Sequence, residues 1–457
     1  MKQLLLAGLA IMALSCAKEN KPSPTTLSGT ISGSEVQKVV VFGNGFDQEL
    51  TVTDGQFADT LDIPKADYYR LRIGREGTGI YLEPGAQIAL TVNTEEFDET
   101  ISYSGEKAAP SNYLAAKYLI SESLMDFETV YASGEPEFLA QNQKYTDACV
   151  ALLKETKGLD QDFYSKEAKE IEYAHFGRME NYQEYHRYLG KTPESKSFKV
   201  SANFYDALSG IDFADTATYR TSQNYKGLVG AHFSRLKEDI LDADPEAHDA
   251  LAYIQVVDQG LPDGNAKDQM LASYLQFGLK PDARLEEVAT AFLATSPSEE
   301  NLATFTERYE LYKTIVPGKD SPNFEYENHA GGSTSLADLE GKYVYIDIWA
   351  TWCGPCIREI PSLKALEADY HDKNIEFVSI SIDEMKDHEK WQNMVTAREL
   401  GGIQLFADNN WSSDFVVGYG IKGIPRFIML GPDGTIVNAD APRPSNPDVR
   451  ELFDKLI

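Results

Sequence analysis

Two cysteines separated by two residues are the part of the sequence with the clearest chemistry. Cys353 and Cys356 follow a predicted strand, Tyr343–Trp349, and begin a predicted helix that extends to about Tyr370. A thiolate at a helix start is stabilised by unpaired backbone N–H groups and by the helix dipole. A second thiol one turn later can resolve the mixed disulfide that the first thiol forms. The spacing therefore predicts thiol–disulfide exchange, with Cys353 as the nucleophile and Cys356 as the resolving thiol.

Other uses of a Cys-x-x-Cys pair fit the sequence less well. A zinc site would need two further ligands, and the remaining cysteines, Cys16 and Cys149, do not form a second pair. A c-type haem would need His directly after Cys356, where Ile357 stands. We therefore expect no metal and no other cofactor. Cys149 lies in a helical pattern, and we expect it to be a small buried apolar residue.

The residues around the pair carry a family resemblance. Trp352-Cys353-Gly354-Pro355-Cys356 after a strand resembles the active-site signature of thioredoxins, and its continuation to Glu359-Ile360-Pro361 resembles the TlpA-like branch of exported thioredoxins. The resemblance covers about Ser321–Ile457 and implies an α/β thioredoxin fold there. It also implies that three residues next to the thiols contact the client protein: Trp352, Gly354 and Pro355.

Two carboxyl groups are candidate proton carriers. Asp347 stands six residues before Cys353 and matches, by resemblance, the buried acid of thioredoxins. Glu359 is three residues after Cys356, on the same helical face, and matches the acid of the TlpA-like branch. Burial raises the pKa of a carboxyl group and makes it a proton acceptor for Cys356. The alternative is structural: Asp347 satisfied by a neighbour, and Glu359 solvated.

Gly423-Ile424-Pro425 is the last candidate site. The family resemblance implies a cis peptide bond before Pro425, facing the cysteine pair. The backbone of Ile424 would then pair with a client in an extended conformation. Arg426 stands where many relatives have Thr, which bears on client selectivity. The alternative is an ordinary turn with a trans proline.

Peroxiredoxins share the fold but need a different motif. Their Pro-x-x-x-Thr-x-x-Cys pattern would place Pro and Thr where this chain has Ile346 and Ala350 before Cys353. We therefore expect no peroxidase activity.

The direction of exchange is suggested by the residues between the thiols. Gly-Pro between two cysteines resembles the reducing members of the family more than its strong oxidants. An exported reductase would need a membrane-embedded electron donor and would act on client proteins with disulfides. Two alternatives remain open: an envelope disulfide oxidase or isomerase, and a partner-binding lipoprotein in which the redox domain is secondary.

The N-terminus has the pattern of an export signal. Lys2 precedes the apolar run Leu4–Leu14, which is too short to span a bilayer permanently. A small residue directly before Cys16 resembles the cleavage box of bacterial lipoproteins, which implies lipid at Cys16. We expect a signal peptide over 1–15 and a polar tether over 16–26. The expected location is the cell envelope, lipid-anchored in the outer membrane and facing the periplasm.

Length and charge bound the remaining possibilities. The chain has 457 residues, which favours about three domains over one core. Its net charge of −30 argues against nucleic acid as a partner, because phosphate binding needs clustered Lys and Arg. The acidic balance indicates a soluble, self-repelling surface.

The pattern along the chain predicts a multidomain protein of three parts. Short β-like runs such as Val36–Phe42 and Ala86–Val92 predict a β-sandwich-like domain over 27–106. This segment resembles the β-rich domain of unknown function that often precedes thioredoxin domains in bacterial lipoproteins. Helical periodicity predicts an α-helical domain over 107–316. Strand–helix alternation predicts an α/β thioredoxin-like domain over 317–457.

Two local signals mark the end of the helical part. Ser296-Pro297-Ser298-Glu299 predicts a helix start with Ser296 as the N-cap and Glu299 completing a capping box. Val316–Pro322 is predicted to be a linker from its Pro and Gly content.

Overall fold

The computed structural model describes residues 24–190 and 192–457. The predicted signal peptide and the lipid-attachment residue Cys16 lie outside the described residues. Chain contacts define two units: the described residues up to Gly210 with Ser222–Leu228, and Ile211–Thr221 with Val229–Ile457. The predicted multidomain class, with β-rich, helical and thioredoxin-fold parts, is confirmed. The predicted domain boundaries stay predictions.

The first unit begins with short strands that alternate buried and exposed residues. Two four-stranded sheets, in the orders β4-β1-β7-β8 and β3-β2-β5-β6, pack their apolar faces into one core that contains Leu27, Leu90, Val39 and Leu71. This is a β-sandwich. Its strands are β1 Thr25–Ser32, β2 Lys38–Gly43, β3 Phe46–Thr51, β4 Gln56–Leu61, β5 Asp67–Ile73, β6 Glu76–Leu82, β7 Gln87–Asn93 and β8 Ser102–Ser104.

Helices complete the same unit, with α1 between β7 and β8 and the others after the sandwich. They are α1 Phe97–Thr100, α2 Ala109–Leu124, α3 Phe127–Ala132, α4 Glu135–Glu155, α5 Gln161–Leu189 and α6 Pro193–Lys196. Buried Glu167 on α5 accepts hydrogen bonds from Tyr68 of the sandwich and Tyr113 of α2, and it pairs with Lys117. Cys149 is a free, buried cysteine of α4, as predicted.

The second unit also contains helices. They are α7 Thr216–Thr221, α8 Gln223–Ala243 (of which residues 229–243 belong here), α9 Asp249–Gly260, α10 Asn265–Gly278, α11 Leu285–Ala294 and α12 Glu299–Tyr312. The N-cap of α12 is Ser298, which accepts from the N–H of Asn301, so the prediction of Ser296 is wrong. Ser296 instead has a positive φ of 56°, which a helix cap does not adopt. Among the described helices, none combines the length and the apolar character needed to cross a bilayer.

The C-terminal part of this unit is a seven-stranded sheet with helices on both faces. The strand order is β10-β9-β13-β12-β11-β14-β15, with β11, β12 and β13 parallel and the other pairings antiparallel. The strands are β9 Glu325–Asn328, β10 Ser333–Ser335, β11 Tyr343–Trp349, β12 Ile375–Ser381, β13 Ile403–Phe406, β14 Arg426–Leu430 and β15 Ile436–Asn438. The helices are α13 Gly354–Tyr370, α14 His388–Ala397, α15 Asp414–Gly418 and α16 Asp448–Leu456.

Strand alternation decides which residues of β11 face which helix. Ile346 and Ile348 lie in the core that contains Trp391 of α14, whereas Tyr345 packs with Leu366 of α13. Since successive side chains point to opposite faces of a sheet, Asp347 projects to the same face as Tyr345, towards α13. The fold thus places an acid under the helix that carries the cysteines.

Candidate active site

The cysteine pair lies where β11 turns into α13. Cys353 is the N-cap of α13, and its Sγ accepts a hydrogen bond of 3.1 Å from the backbone N–H of Cys356. The two cysteines form a disulfide. Both are only 4% exposed, so exposure in the disulfide form does not distinguish nucleophile from resolving thiol. The hydrogen bond does, because it would stabilise a thiolate on Cys353.

A buried aspartate holds the turn before the pair. The carboxylate of Asp383 accepts from the N–H of Thr351 at 2.9 Å, from its hydroxyl at 2.7 Å and from the hydroxyl of Ser381 at 2.7 Å. These bonds tie the residues before Cys353 to the end of β12. Asp383 was not predicted from the sequence, although an acid two residues after a buried strand is a visible signal.

Asp347 is buried behind the disulfide, as the resemblance implied. Burial, followed by the charges of Glu359 and Glu367, raises the pKa of Asp347 to about 8. Its Oδ1 has no hydrogen-bond partner in the described part of the protein. Asp347 and Cys356 line one small cavity, so the structure brings the predicted acid and the predicted resolving thiol together. The alternative of an Asp347 fully satisfied by a neighbour is not what the structure shows.

Glu359 is engaged by a neighbouring loop. Its two carboxylate oxygens accept from the N–H and the hydroxyl of Ser445, at 3.0 and 2.9 Å. It is buried rather than solvated, and it does not line the cavity at Cys356. Its predicted role as a proton acceptor stays a prediction.

A further acid at this site, Glu367, was not predicted from the sequence. It is half-buried on α13 and lines the cavity with Asp347 and Cys356. Burial raises its pKa to about 7. It stands eleven residues after Cys356. Eleven residues are about three helical turns, so the two share a face, and this spacing could have identified it.

The proline loop lies beside the cysteine turn. The bond between Ile424 and Pro425 is cis, as the resemblance implied. Pairing of Ile348 with Arg426 in adjacent antiparallel strands places this loop next to the end of β11. The guanidinium of Arg426 donates to Ala439 O at 3.0 and 2.7 Å, which anchors the strand that follows the loop.

Exposed residues surround the buried disulfide. Trp352 is 52% exposed and lies 6.4 Å from Trp411 between ring centroids. Gly354 and Pro355 are exposed on the first turn of α13. Ile424 makes no backbone hydrogen bond within the described residues, so its N–H and C=O are free to bind an extended strand. Ile424 packs against the apolar cluster that contains Cys353 and Cys356, so the proline loop and the first turn of α13 share that core.

Part of the chain is similar in sequence to known proteins. Residues 317–439 match the sequence model of the AhpC/TSA family. A thiol-disulfide oxidoreductase ResA from Bacillus thuringiensis (strain Al Hakam) is 30% identical over 120 residues, which are 26% of this chain and 66% of that protein. The chain thus spans slightly less than two thirds of this relative.

Two solved structures from Bacteroides vulgatus, both provisionally named thiol-disulfide oxidoreductases, are also similar. The first is 35% identical and covers 32% of this chain and 99% of its own, with a TM-score of 0.29. The second is 51% identical and covers 29% of this chain and 86% of its own, with a TM-score of 0.27.

The fold and the cysteine pair define the class of the C-terminal domain: it has the thioredoxin fold. With the similarity to ResA, it is a redox domain of the thiol–disulfide oxidoreductase type.

Proposed function

We propose that the whole protein is a thiol–disulfide oxidoreductase of the TlpA-like type that reduces disulfides in client proteins of the bacterial cell envelope. The observation that carries the proposal is the Cys353–Cys356 disulfide at the start of α13, bordered by an exposed tryptophan and by the cis-proline loop. A client strand lying along Ile424 would present its disulfide to Cys353.

The exchange balances as a two-electron transfer. In the dithiol form the Cys353 thiolate attacks one client sulfur, and the other client sulfur leaves as a thiolate that takes a proton from solvent. Cys356 then loses its proton to Asp347 and attacks Cys353 Sγ, which forms the protein disulfide. The second client sulfur leaves and is protonated. The client disulfide is reduced and the protein dithiol is oxidised, so a membrane-embedded donor must regenerate the dithiol.

The reducing direction is supported by the charges near the thiols. No Lys, Arg or His stands between Cys353 and Cys356, and Arg358 is the nearest cation in sequence. A weakly stabilised thiolate favours the disulfide form and hence a low potential. We expect a potential below about −200 mV, nearer the thioredoxin value of about −270 mV than the DsbA value of about −120 mV. Equilibration with glutathione or dithiothreitol buffers measures it, and a value near the DsbA one would make the protein an oxidant.

Trapping of clients tests the assignment of the two thiols. In Cys356→Ser the mixed disulfide formed by Cys353 is not resolved, so we expect disulfide-linked client adducts on non-reducing gels. Cys353→Ser should trap few clients, because the N–H hydrogen bond that stabilises a thiolate goes to Cys353, whereas Cys356 lines the cavity next to Asp347. Equal trapping by both variants, or trapping only by Cys353→Ser, would refute the roles.

We also propose that the protein is a lipoprotein anchored through Cys16 in the outer membrane and facing the periplasm. The proposal rests on the sequence alone: Lys2, the apolar run and the small residue before Cys16. Cys16→Ala should leave protein that no longer sediments with membranes. Retention of the variant in salt-washed membranes would exclude lipid at Cys16 as the anchor.

A further inference from the structure

A small cavity lies behind the disulfide, between β11 and α13. Its volume is about 10 Å³, which is close to the space that one water molecule needs. Cys356 and Glu367 border it from the helix, and Asp347, Trp349 and Gln404 border it from the sheet. The cavity therefore connects the resolving thiol with two acids.

Three polar atoms around this cavity have no partner among the described residues: Asp347 Oδ1, Trp349 Nε1 and Gln404 Oε1. Gln404 is fixed in orientation, because its Nε2 donates to Gly401 O at 2.7 Å. Together, the three unpartnered atoms provide one N–H donor, on Trp349, and two acceptor oxygens, on Asp347 and Gln404. A buried water makes about three hydrogen bonds to such groups, so the cavity has the polar lining of a water site.

Glu367 is the acid that reaches both this cavity and solvent. It is half-buried, whereas Asp347 is buried. The other charged and titratable groups nearby are held elsewhere: Glu359 by Ser445, and Lys364 by the carbonyl of Arg398 at 3.0 Å. The phenol of Tyr345 donates to Pro442 O. Lys364 lowers the pKa of Glu367, but burial outweighs it.

We propose that Glu367 is a second proton-exchanging acid of the redox centre, joined to Asp347 and Cys356 by a water held by Trp349 and Gln404. The inference rests on the proposed thiol–disulfide exchange. When Cys356 attacks Cys353 Sγ, its proton passes to Asp347 or, through the water, to Glu367, and from Glu367 to solvent. The S–S bond to the client breaks as the Cys353–Cys356 bond forms, so atoms and electrons balance.

The test isolates the step in which Cys356 acts. The reduced full chain is mixed with an aromatic disulfide that releases a coloured thiolate, first on attack by Cys353 and again when Cys356 resolves the mixed disulfide. Loss of the second release in Cys356→Ser identifies the resolving phase. Its rate is measured against pH for Glu367→Gln, Asp347→Asn and the double variant.

Two results are expected. Glu367→Gln moves the inflection of the pH profile to lower pH, since the Glu367 charge raises the pKa of Asp347. In the Asp347→Asn background, Glu367→Gln slows resolution by a further factor of about ten or more, as removal of a proton acceptor does. If Glu367 acted only through its charge on Asp347, Glu367→Gln would not slow resolution further in the Asp347→Asn background, because the carboxyl group of Asp347 is already absent there.

Matched variants keep the test interpretable. Asp369→Asn removes a carboxylate from the same helix, where Asp369 pairs with Arg450 at the surface, and should leave the resolving phase unchanged. Glu367→Asp should restore part of the lost rate. Equal rates for Asp347→Asn and the double variant would overturn the role of Glu367. If the wild-type chain released no coloured thiolate from the aromatic disulfide, the proposed function itself would be overturned.

Discussion

At the start of α13 the two cysteine residues differ in their surroundings more than in their exposure. The Cys353 sulfur accepts the N–H of Cys356, whereas Cys356 borders the cavity that Asp347 and Glu367 line. In the dithiol form the first environment favours a thiolate, and the second favours a thiol next to a proton acceptor. This asymmetry is what an ordered two-step exchange requires.

The raised pKa of Asp347 has a consequence for stability. The pKa of Asp347 is about 8 in the folded protein, against 3.8 for an aspartate free of these surroundings, as in the unfolded chain. The folded protein therefore keeps this proton to a higher pH than the unfolded chain does. Stability is therefore lost as pH rises from about 4 to about 8. Asp347→Asn removes this loss. Since each pKa unit is worth about 1.4 kcal/mol, we expect the variant to be several kcal/mol more stable than the wild-type chain at pH 9, with a smaller gain at pH 5.

Tryptophan fluorescence is the measurement for this prediction. All four tryptophans of the chain lie in its C-terminal part, at positions 349, 352, 391 and 411, so their signal reports on this domain alone. Urea unfolding is followed at the two pH values, with Asp369→Asn as the control on the same helix. A gain that is equal at pH 5 and pH 9 would contradict a titration of Asp347.

Elements with strong patterns were predictable to the residue. Strand β11 spans Tyr343–Trp349 and helix α13 ends at Tyr370, as the sequence predicted. The cap of α12 was misplaced because Ser296 and Ser298 offer the same side chain, and only backbone conformation separates them.

Contacts between elements were less predictable than the elements themselves. The thiols, Asp347 and the cis bond could be inferred because motif spacing fixes them along the chain. The bonds of Asp383 to Thr351 and of Ser445 to Glu359 join residues far apart in sequence. Such pairings depend on how β12 and the loop before α16 pack, which periodicity does not encode.

Asp383 connects the turn that follows β11 to the end of β12. This carboxylate is 1% exposed and accepts three hydrogen bonds. Asp383→Ala leaves the N–H of Thr351 and two hydroxyls without that acceptor, which costs about 1–3 kcal/mol per unsatisfied buried group. We expect a lower unfolding midpoint in the fluorescence assay and slower attack by Cys353. Exposed Glu384→Ala is the control, and an unchanged midpoint for Asp383→Ala would show that the turn is held by other contacts.

At the scale of the whole chain, composition predicted the three kinds of structure but not how the helical part continues into the redox domain. Val316–Pro322 was predicted to be a linker, yet Gly318 N donates to Ile436 O and Ile436 N donates to Lys319 O, both at 2.8 Å. The segment is thus bound to β15. Pro and Gly content indicates the absence of regular structure, not the absence of hydrogen bonds.

The residue just before this segment belongs to the core of the redox domain, although it lies far from the cysteine motif in sequence. Ile315, just after α12, is 1% exposed and belongs to the apolar cluster that contains Ile348, Cys353 and Trp391. Tyr312 of α12 packs against this cluster. Because side chains of α12 and its C-terminal turn complete this core, we expect a fragment that starts at Ser321 to be less stable than one that starts at Glu299.

Ile315→Ala in the full chain tests that expectation without truncation. Removing a buried isoleucine side chain costs about 2–5 kcal/mol, through lost burial and the cavity left behind. The variant should therefore lower the urea midpoint seen by tryptophan fluorescence, even though Ile315 lies 38 residues before Cys353. Thr314→Ala changes an exposed neighbour in the same turn and should shift the midpoint little. If Ile315→Ala and Thr314→Ala both have the urea midpoint of the wild-type chain, the redox core does not depend on the end of α12. The fragment that starts at Ser321 should then be as stable as the one that starts at Glu299.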